Sequence, residues 1–212
     1  MQGNTGVIDY LNQGLRHELT SINQYWLHYR LLDNWGYRTL AKKWRQESIE
    51  EMKHADKLIE RIIFLDGSPN MQTLEALNIG HTVKEVIDRD LQAELNARAL
   101  YETAATHCHA VKDYVTRRLF EELMHSEEDH IDFLETQLDL IGRLGLELYA
   151  QHHIGKLAED TAGDLQRKGC LSNAARSRQG HDAIGRNESL QRLLRRGSPD
   201  ERRNASWEVG PR

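Results

Sequence analysis

The chain has 212 residues, of which 29% are charged and 7% aromatic, with three prolines and a formal net charge of −5. No apolar run approaches the roughly 20 residues that span a membrane, and the N-terminus lacks a basic segment before an apolar core, so we predict neither a membrane helix nor a secretory signal. The two cysteines form no C-x-x-C pair and no disulfide framework, and we therefore expect a cytoplasmic protein.

Two long helices are predicted in the first third of the chain. The first covers residues 5–33, and its apolar positions follow a helical period that we expect to face a core: Leu11, Leu15, Leu19, Ile22, Trp26 and Tyr29. The second covers residues 38–65 and stops at Asp66 and Gly67, with Pro69 just beyond. Its apolar positions are Leu40, Trp44, Ile49, Met52, Ala55, Ile59, Ile62 and Ile63.

A long connection, residues 67–81, precedes the next predicted helices. Thr82 and Glu85 form a capping-box pattern that begins a third helix ending near residue 110, and Asp113 caps a fourth that ends near residue 144. A short fifth helix is predicted over residues 146–157. The extended connection reaches roughly 50 Å, whereas a helix of about 27 residues is about 40 Å long. The connection can therefore return along the bundle, so that two antiparallel hairpins are joined by one long crossover.

The composition changes near residue 160. Residues 1–160 carry 17 Lys and Arg and 27 Asp and Glu, a net of −10, whereas residues 161–212 carry 11 and 6, a net of +5. We predict a bundle domain over residues 1–158 and a basic, disordered extension over residues 159–212. A basic tail can bind nucleic acid, but this composition favours a solvated extension or an altered reading frame.

One pattern of Glu, His and Tyr residues occurs twice, 76 positions apart (94 − 18, 127 − 51 and 130 − 54). The pairs are Glu18 and Glu94, Tyr25 and Tyr101, Glu51 and Glu127, and His54 and His130. In each Glu-x-x-His the two side chains lie within about 60° on one helix face, so that each pair can close on one metal ion. Four carboxylates and two imidazoles are the ligand set described for ferritin-like di-iron bundles.

The pattern has other interpretations besides metal binding. A single Glu-x-x-His is common on solvated helix faces, but two copies in register favour a metal site. A metal-free helical scaffold would have to bury four carboxylates without a cation. Tyr25 either hydrogen-bonds near the site or supplies an electron to it, or it is a buried tyrosine of the core.

Residues 1–158 resemble the bacterioferritins in three blocks, HELTSINQYWLHYRLLDNWG, ESIEEMKHADKLIERIIFLDG and SEEDHIDFLETQLDLIG. The resemblance implies an all-α, ferritin-like four-helix bundle with one long crossover and a short fifth helix. It implies iron storage and detoxification, with a ferroxidase that oxidises Fe(II) to Fe(III) with O₂ or peroxide and deposits mineral inside a cage of 24 subunits. It further implies that two glutamates bridge the di-iron centre and that one Glu–His pair completes each iron. The bridging residues are Glu51 and Glu127, and the pairs are Glu18 with His54 and Glu94 with His130.

The resemblance also implies a second cofactor, haem b, held between two symmetry-related methionines. Met52 is the matching residue, and it stands about 100° from Glu51 and about 160° from His54 on the helix, away from the metal ligands. The cage would then be built from haem-bridged dimers, with a ferredoxin-type reductase as a partner. Methionine is an axial haem ligand in other proteins, but it also fills gaps at interfaces.

Several positions depart from the family pattern. Ser126 stands where the family often has an aspartate, and Gln46 where members carry a histidine, whereas Asp90 is kept and is predicted to orient a ligand histidine. The main rival function is a di-iron enzyme that stores nothing, such as a rubrerythrin-like peroxidase or a manganese catalase. Rubrerythrins usually add a C-x-x-C iron module, which this sequence lacks.

Overall fold

The computed structural model describes residues 1–154. These residues form five helices: α1 (Thr5–Asn34), α2 (Arg38–Phe64), α3 (Val83–Ala110), α4 (Tyr114–Leu144) and α5 (Leu146–Ile154). The predicted all-α bundle is confirmed, and the ends of α1 to α4 agree with the sequence analysis to within about one residue. The predicted end of α5, the domain boundary at residue 158 and the extension over 159–212 lie outside the described residues.

Polar side chains cap the first turns of three helices. Asn4 Oδ1 accepts a hydrogen bond from Val7 N at 3.3 Å, and Asp113 Oδ1 accepts one from Thr116 N at 3.0 Å. At α3, Thr82 Oγ1 accepts from Glu85 N at 3.2 Å, as predicted. The Glu85 carboxylate, however, accepts from His81 N at 2.9 Å rather than from the N–H of Thr82 itself.

The crossover between α2 and α3 lies along α1. Three successive turns of α1 accept hydrogen bonds from crossover backbone N–H groups: Thr20 Oγ1 from Glu75 N at 2.9 Å, Gln24 Oε1 from Asn78 N at 2.8 Å, and His28 Nε2 from Gly80 N at 3.0 Å. Residue numbers rise together in both segments, so the crossover runs in the direction of α1. The chain therefore returns along the bundle, and α3 points the same way as α2, as predicted.

The core consists of two apolar clusters, one at each end of the bundle. One contains Leu11, Leu15, Leu58 and Phe120, and the other contains Leu32, Trp44, Ile87, Leu134 and Tyr149. In α2, α3 and α4 the predicted metal ligands fall in the stretch of helix between these clusters. The polar site is therefore closed at both ends by packed apolar side chains.

Four residues of the predicted apolar stripes lie on the outer surface instead, and two of them are Met52 and Ile63, at 41% and 59% exposure. Trp26 is 54% exposed and Ile49 is 43% exposed. The buried face of α1 follows a seven-residue spacing through Leu11, Glu18, Tyr25 and Leu32, which is typical of helices wrapped in a bundle. A straight helix with a period of 3.6 predicts position 26 inside, but the buried face has turned to position 25 there.

Candidate metal centre

The six predicted ligands converge in the middle of the bundle. All are buried, with the glutamates 1% exposed and the histidines 6% exposed. They form two overlapping groups whose ligand atoms lie within 4.8 Å of one another: Glu18, Glu51, His54 and Glu127, and Glu51, Glu94, Glu127 and His130. The two groups share Glu51 and Glu127, which are the residues that the resemblance assigns as bridges.

Each shared glutamate turns one oxygen toward each histidine. Glu51 Oε2 lies 2.9 Å from His54 Nδ1, and Glu51 Oε1 lies 3.3 Å from His130 Nδ1. Glu127 repeats the arrangement, with Oε1 at 3.5 Å from His54 Nδ1 and Oε2 at 3.3 Å from His130 Nδ1. The outer glutamates complete the set, with Glu18 Oε1 at 3.8 Å from His54 Nδ1 and Glu94 Oε2 at 3.7 Å from His130 Nδ1.

Several of these buried atoms have no hydrogen-bond partner among the described residues. They are Glu51 Oε1, both carboxylate oxygens of Glu127, and His130 Nδ1. Buried polar atoms are almost always hydrogen-bonded, and burying one without a partner costs about 1–3 kcal/mol. A cation bound between them would satisfy these atoms, and oxygen and imidazole donors suit first-row transition metals such as iron. The residues present therefore fit a pair of metal ions.

The protonation of the carboxylates reflects their crowding. Burial raises the pKa of Glu18 and of Glu127 well above the usual range, and in both cases the neighbouring Glu51 carboxylate raises the pKa further. Burial also acts against ionisation of Glu51, but contacts with His130 and His54 outweigh burial and lower its pKa. Without a cation, the site thus holds protons on some of its glutamates.

Two buried tyrosines hold the outer glutamates, each across the bundle. The hydroxyl of Tyr25, on α1, donates a hydrogen bond to Glu94 Oε1 on α3, and the hydroxyl of Tyr101, on α3, donates one to Glu18 Oε1 on α1. Burial, followed by the neighbouring carboxylates, raises the pKa of both phenols well above 10, so that they remain donors. Tyr25 therefore hydrogen-bonds to the site and is also packed in one of the apolar clusters of the core. The role of Tyr101 was not predicted, although the 76-residue repeat already pointed to it.

Asp90 does not orient a ligand histidine, and that prediction is wrong. Its fully buried carboxylate contacts His28 Nδ1 at 2.8 Å and accepts hydrogen bonds from Gln24 Nε2 at 2.8 Å and Trp44 Nε1 at 2.7 Å. His28 Nε2 in turn accepts a hydrogen bond from Gly80 N. Asp90 thus connects α1, α2 and α3, and through His28 the crossover, at a level of the bundle one helical turn away from Glu94.

Glu47 reaches the site although the sequence analysis gave it no role. It is 4% exposed, and its Oε2 lies 2.9 Å from His130 Nε2, on the side of the ring that faces away from the four ligand glutamates. Lys43, one turn earlier on α2, forms an ion pair with the same carboxylate. The signal in the sequence was the spacing of Glu47 and Glu51, one helical turn apart on α2.

Met52 lies outside the metal centre, at an apolar groove on the surface. It is 41% exposed and lines a cavity of about 180 Å³ together with Trp26, Tyr29, Arg45, Ser48 and Ile49. Two residues that the helical period wrongly predicted in the core, Trp26 and Ile49, form the walls of this groove. Apart from this surface, we note that no helix within residues 1–154 has the length and apolar character needed to cross a membrane.

Residues 8–144 match the family model of the ferritin-like domain. Bacterioferritin of Brucella melitensis is 58% identical over 151 residues, which are 71% of this chain and 94% of the relative. Bacterioferritin of Mycolicibacterium paratuberculosis is 44% identical over 156 residues, which are 74% of this chain and 98% of the relative.

A solved structure with a similar fold is that of Rhodobacter capsulatus bacterioferritin. It has a TM-score of 0.72 and 50% sequence identity, and the match covers 72% of this chain and 96% of that chain. That structure is described as having a metal-free dinuclear site and haem iron in a crystallographic special position.

Proposed function

Since this chain belongs to the bacterioferritin family of ferritin-like proteins, we propose that it stores and detoxifies iron. Its centre acts as a ferroxidase that oxidises Fe(II) to Fe(III) with O₂ or peroxide, and Fe(III) accumulates as mineral inside a cage of 24 subunits. We place this activity in the cytoplasm, as the sequence analysis predicted, with a ferredoxin-type reductase as the partner that releases stored iron.

The observation that carries the proposal is the sharing of Glu51 and Glu127 between two histidines. A site for one metal ion needs one group of converging ligands. Here there are two groups, and both include the carboxylates of Glu51 and Glu127, each of which has two oxygens and can bind two ions at once. This arrangement suits two Fe(II) ions as substrates, held side by side. We assign Glu51 and Glu127 as bridges, Glu18 and His54 as the remaining ligands of one iron, and Glu94 and His130 as those of the other.

The chemistry supplied by the bound iron is electron transfer, because two Fe(II) substrates together give the two electrons that reduce one O₂ to hydrogen peroxide or one peroxide to water. The protein residues prepare the site for this event. The apolar clusters exclude water, and Tyr25 and Tyr101 fix the orientation of Glu94 and Glu18. The protons held by Glu18 and Glu127 leave as the cations bind, so that loading releases acid.

The groove at Met52 supports the proposal of haem b. The Met52 sulfur is a haem-ligand type, Trp26 and Ile49 offer apolar surface, and Arg45 supplies a positive charge suited to carboxylate groups. One chain provides only one methionine, so we propose that two chains bind the haem between them and that these dimers build the cage.

The proposed ferroxidase activity is tested by substituting Glu51. We expect Glu51→Ala to slow the fast phase of aerobic Fe(II) oxidation by at least about 100-fold. Mutating a residue that only hydrogen-bonds to a metal ligand typically lowers metal affinity or activity about 10–100-fold, and Glu51 is itself a proposed ligand. Stopped-flow absorbance of Fe(III) formation measures the rate. Glu60→Ala, which removes an exposed carboxylate from the same helix, is the matched control and should keep the rate of the unmodified protein. Equal rates in both variants would overturn the assignment of the centre.

A further inference from the structure

The two histidines of the centre are equivalent by the 76-residue repeat but differ in what their outer nitrogens contact. Both turn Nδ1 toward the glutamates. Nε2 of His130 lies 2.9 Å from Glu47 Oε2 and 3.5 Å from Glu50 Oε2. Within residues 1–154, every carboxylate contact of His54 is made through Nδ1.

The repeat explains why His130 has carboxylates beside its Nε2 and His54 does not. The positions on α4 that correspond to Glu47 and Glu50 are 123 (47 + 76) and 126 (50 + 76), which are Leu123 and Ser126. Leu123 is fully buried in an apolar cluster, and Ser126 carries no charge. The two-fold relation between the halves therefore holds for the six ligands and fails in the residues behind them.

Glu47 has the charge and the position to act on His130. Its carboxylate is almost fully buried and lies between His130 Nε2, at 2.9 Å, and the ammonium group of Lys43, with which it forms an ion pair. A negative acceptor beside Nε2 keeps the proton on that nitrogen and leaves the lone pair of Nδ1 free for a metal. It also fixes the plane of the ring, which cannot turn without losing its buried contact with Glu47.

We propose that Glu47 is a positioning residue for His130 and makes the two halves of the centre unequal, so that the half formed by Glu94 and His130 binds a divalent cation more tightly than the half formed by Glu18 and His54. The inference rests on the proposed function, because it concerns the same pair of metal positions. It assigns an order to them: the first cation occupies the His130 half, and the second completes the site beside His54.

The test is a Co²⁺ titration of the iron-depleted protein, followed by the visible absorption of bound cobalt. We expect two Co²⁺ per chain, bound in two separate steps. Glu47→Gln removes the charge with little change in volume and should weaken the tighter step by about 10–100-fold, leaving the weaker step in place. Glu60→Gln makes the same charge change at an exposed position of α2 and should leave both steps unchanged.

A second variant tests the same idea by gain of affinity. Ser126→Glu supplies the half-buried counterpart of Glu50 behind His54, and we expect it to tighten the weaker step while the tighter one stays as it is. Thermal melting shows whether Glu47→Gln folds. If it does not, Ser126→Glu alone tests whether a carboxylate behind a ligand histidine tightens cation binding in that half of the centre.

The possible failures are distinguishable. Fewer than two Co²⁺ bound per chain by the unmodified protein would contradict the proposed centre and this inference together. Two Co²⁺ per chain bound with equal affinity, or an equal loss of both steps in Glu47→Gln, would overturn the inference alone. A structural role of Glu47 would lower the melting temperature without separating the two steps.

Discussion

At the scale of single residues, charge balance explains why four carboxylates can lie together in the middle of a bundle. A buried, unpaired carboxylate is costly, and Glu18, Glu51, Glu94 and Glu127 are each 1% exposed. Two Fe(II) ions carry four positive charges, which match four ionised glutamates. Without cations the same residues reduce their repulsion by keeping protons, as the raised pKa of Glu18 shows. The site is therefore better satisfied when it holds cations.

Met52 gives a prediction that separates haem binding from iron oxidation. Met52→Leu keeps the apolar volume and removes the sulfur ligand, and because Met52 lies outside the centre we expect the Fe(II) oxidation rate to stay within about 2-fold. The haem absorbance per chain of the purified protein should fall at least about 10-fold. Met71→Leu, at an exposed methionine of the crossover, is the matched control. Full haem content in Met52→Leu would show that this residue is not the ligand.

Local spacing predicts part of the site, whereas the ligands on different helices were predicted by the 76-residue repeat and the family resemblance. Glu51 and His54 are three positions apart on one helix, and helix geometry alone places them on one face. The contact between Glu47 and His130 joins α2 to α4, so it depends on how the two helices pack. Trp26 was misplaced for a related reason, since the wrapping of the bundle turns the buried face away from the straight-helix period.

At the scale of helices, local capping signals predicted the starts of α3 and α4, and the length of the crossover predicted its path. What the sequence did not show is how the elements are held to one another. Asp113 is an example, because it caps α4 and also forms an ion pair with Arg61 of α2 at 2.9 Å. The capping role follows from local spacing, whereas the pairing requires the packed bundle.

The Asp113–Arg61 pair predicts a pH dependence of stability. Burial opposes ionisation of Asp113, but hydrogen bonds from Thr116 and the charge of Arg61 outweigh it and lower the pKa. A carboxylate with a lowered folded pKa stabilises the protein above its unfolded pKa of about 3.9, and this contribution is lost as the pH falls through the folded value. We expect Asp113→Asn to cost about 2 kcal/mol at pH 7 and the difference from the unmodified protein to vanish in acid. Urea unfolding at several pH values measures this difference in the free energy of unfolding. The control is Asp139→Asn, which removes a carboxylate from an exposed ion pair on α4. A difference that stays constant below pH 4 would contradict the assignment.

The Asp90 network predicts how firmly the crossover is attached. Asp90→Asn replaces an acceptor with an amide whose NH₂ group must face one of three buried donors, from Gln24, His28 and Trp44. We expect the free energy of unfolding to fall by about 3 kcal/mol. We also expect faster hydrogen exchange at the Gly80 amide, which donates a hydrogen bond to His28 Nε2. Asp88→Asn, in a surface pair with Lys84, should change neither quantity noticeably. Unchanged exchange at Gly80 would show that the network does not hold the crossover.

At the scale of the whole molecule, the exposed apolar residues argue that one chain is an incomplete unit. Trp26, Ile49 and Met52 form one outer patch, and Phe64 and Val115, at 55% and 65% exposure, lie at another cavity. Contiguous apolar surface of this kind usually marks contacts between proteins. The first patch contains the proposed haem ligand, so covering it with a second copy would complete the cofactor site and begin the assembly.

The proposed storage of mineral requires a closed cage, so the protein should assemble into large particles that carry iron. After aerobic loading with excess Fe(II), we expect iron, haem absorbance and protein to sediment together in particles of about 590 kDa of protein (24 × 24.6 kDa), with far more than two irons per chain. Glu51→Ala should form the same particle and load it slowly, because Glu51 is buried inside the bundle and would take no part in contacts between subunits. Two irons per chain on a small oligomer would instead favour a di-iron oxidase of the rubrerythrin type. Removing residues 159–212 then separates two causes of a small oligomer: if the shortened chain assembles and stores iron, the extension had blocked closure, and if it does not, the bundle itself lacks the storage function.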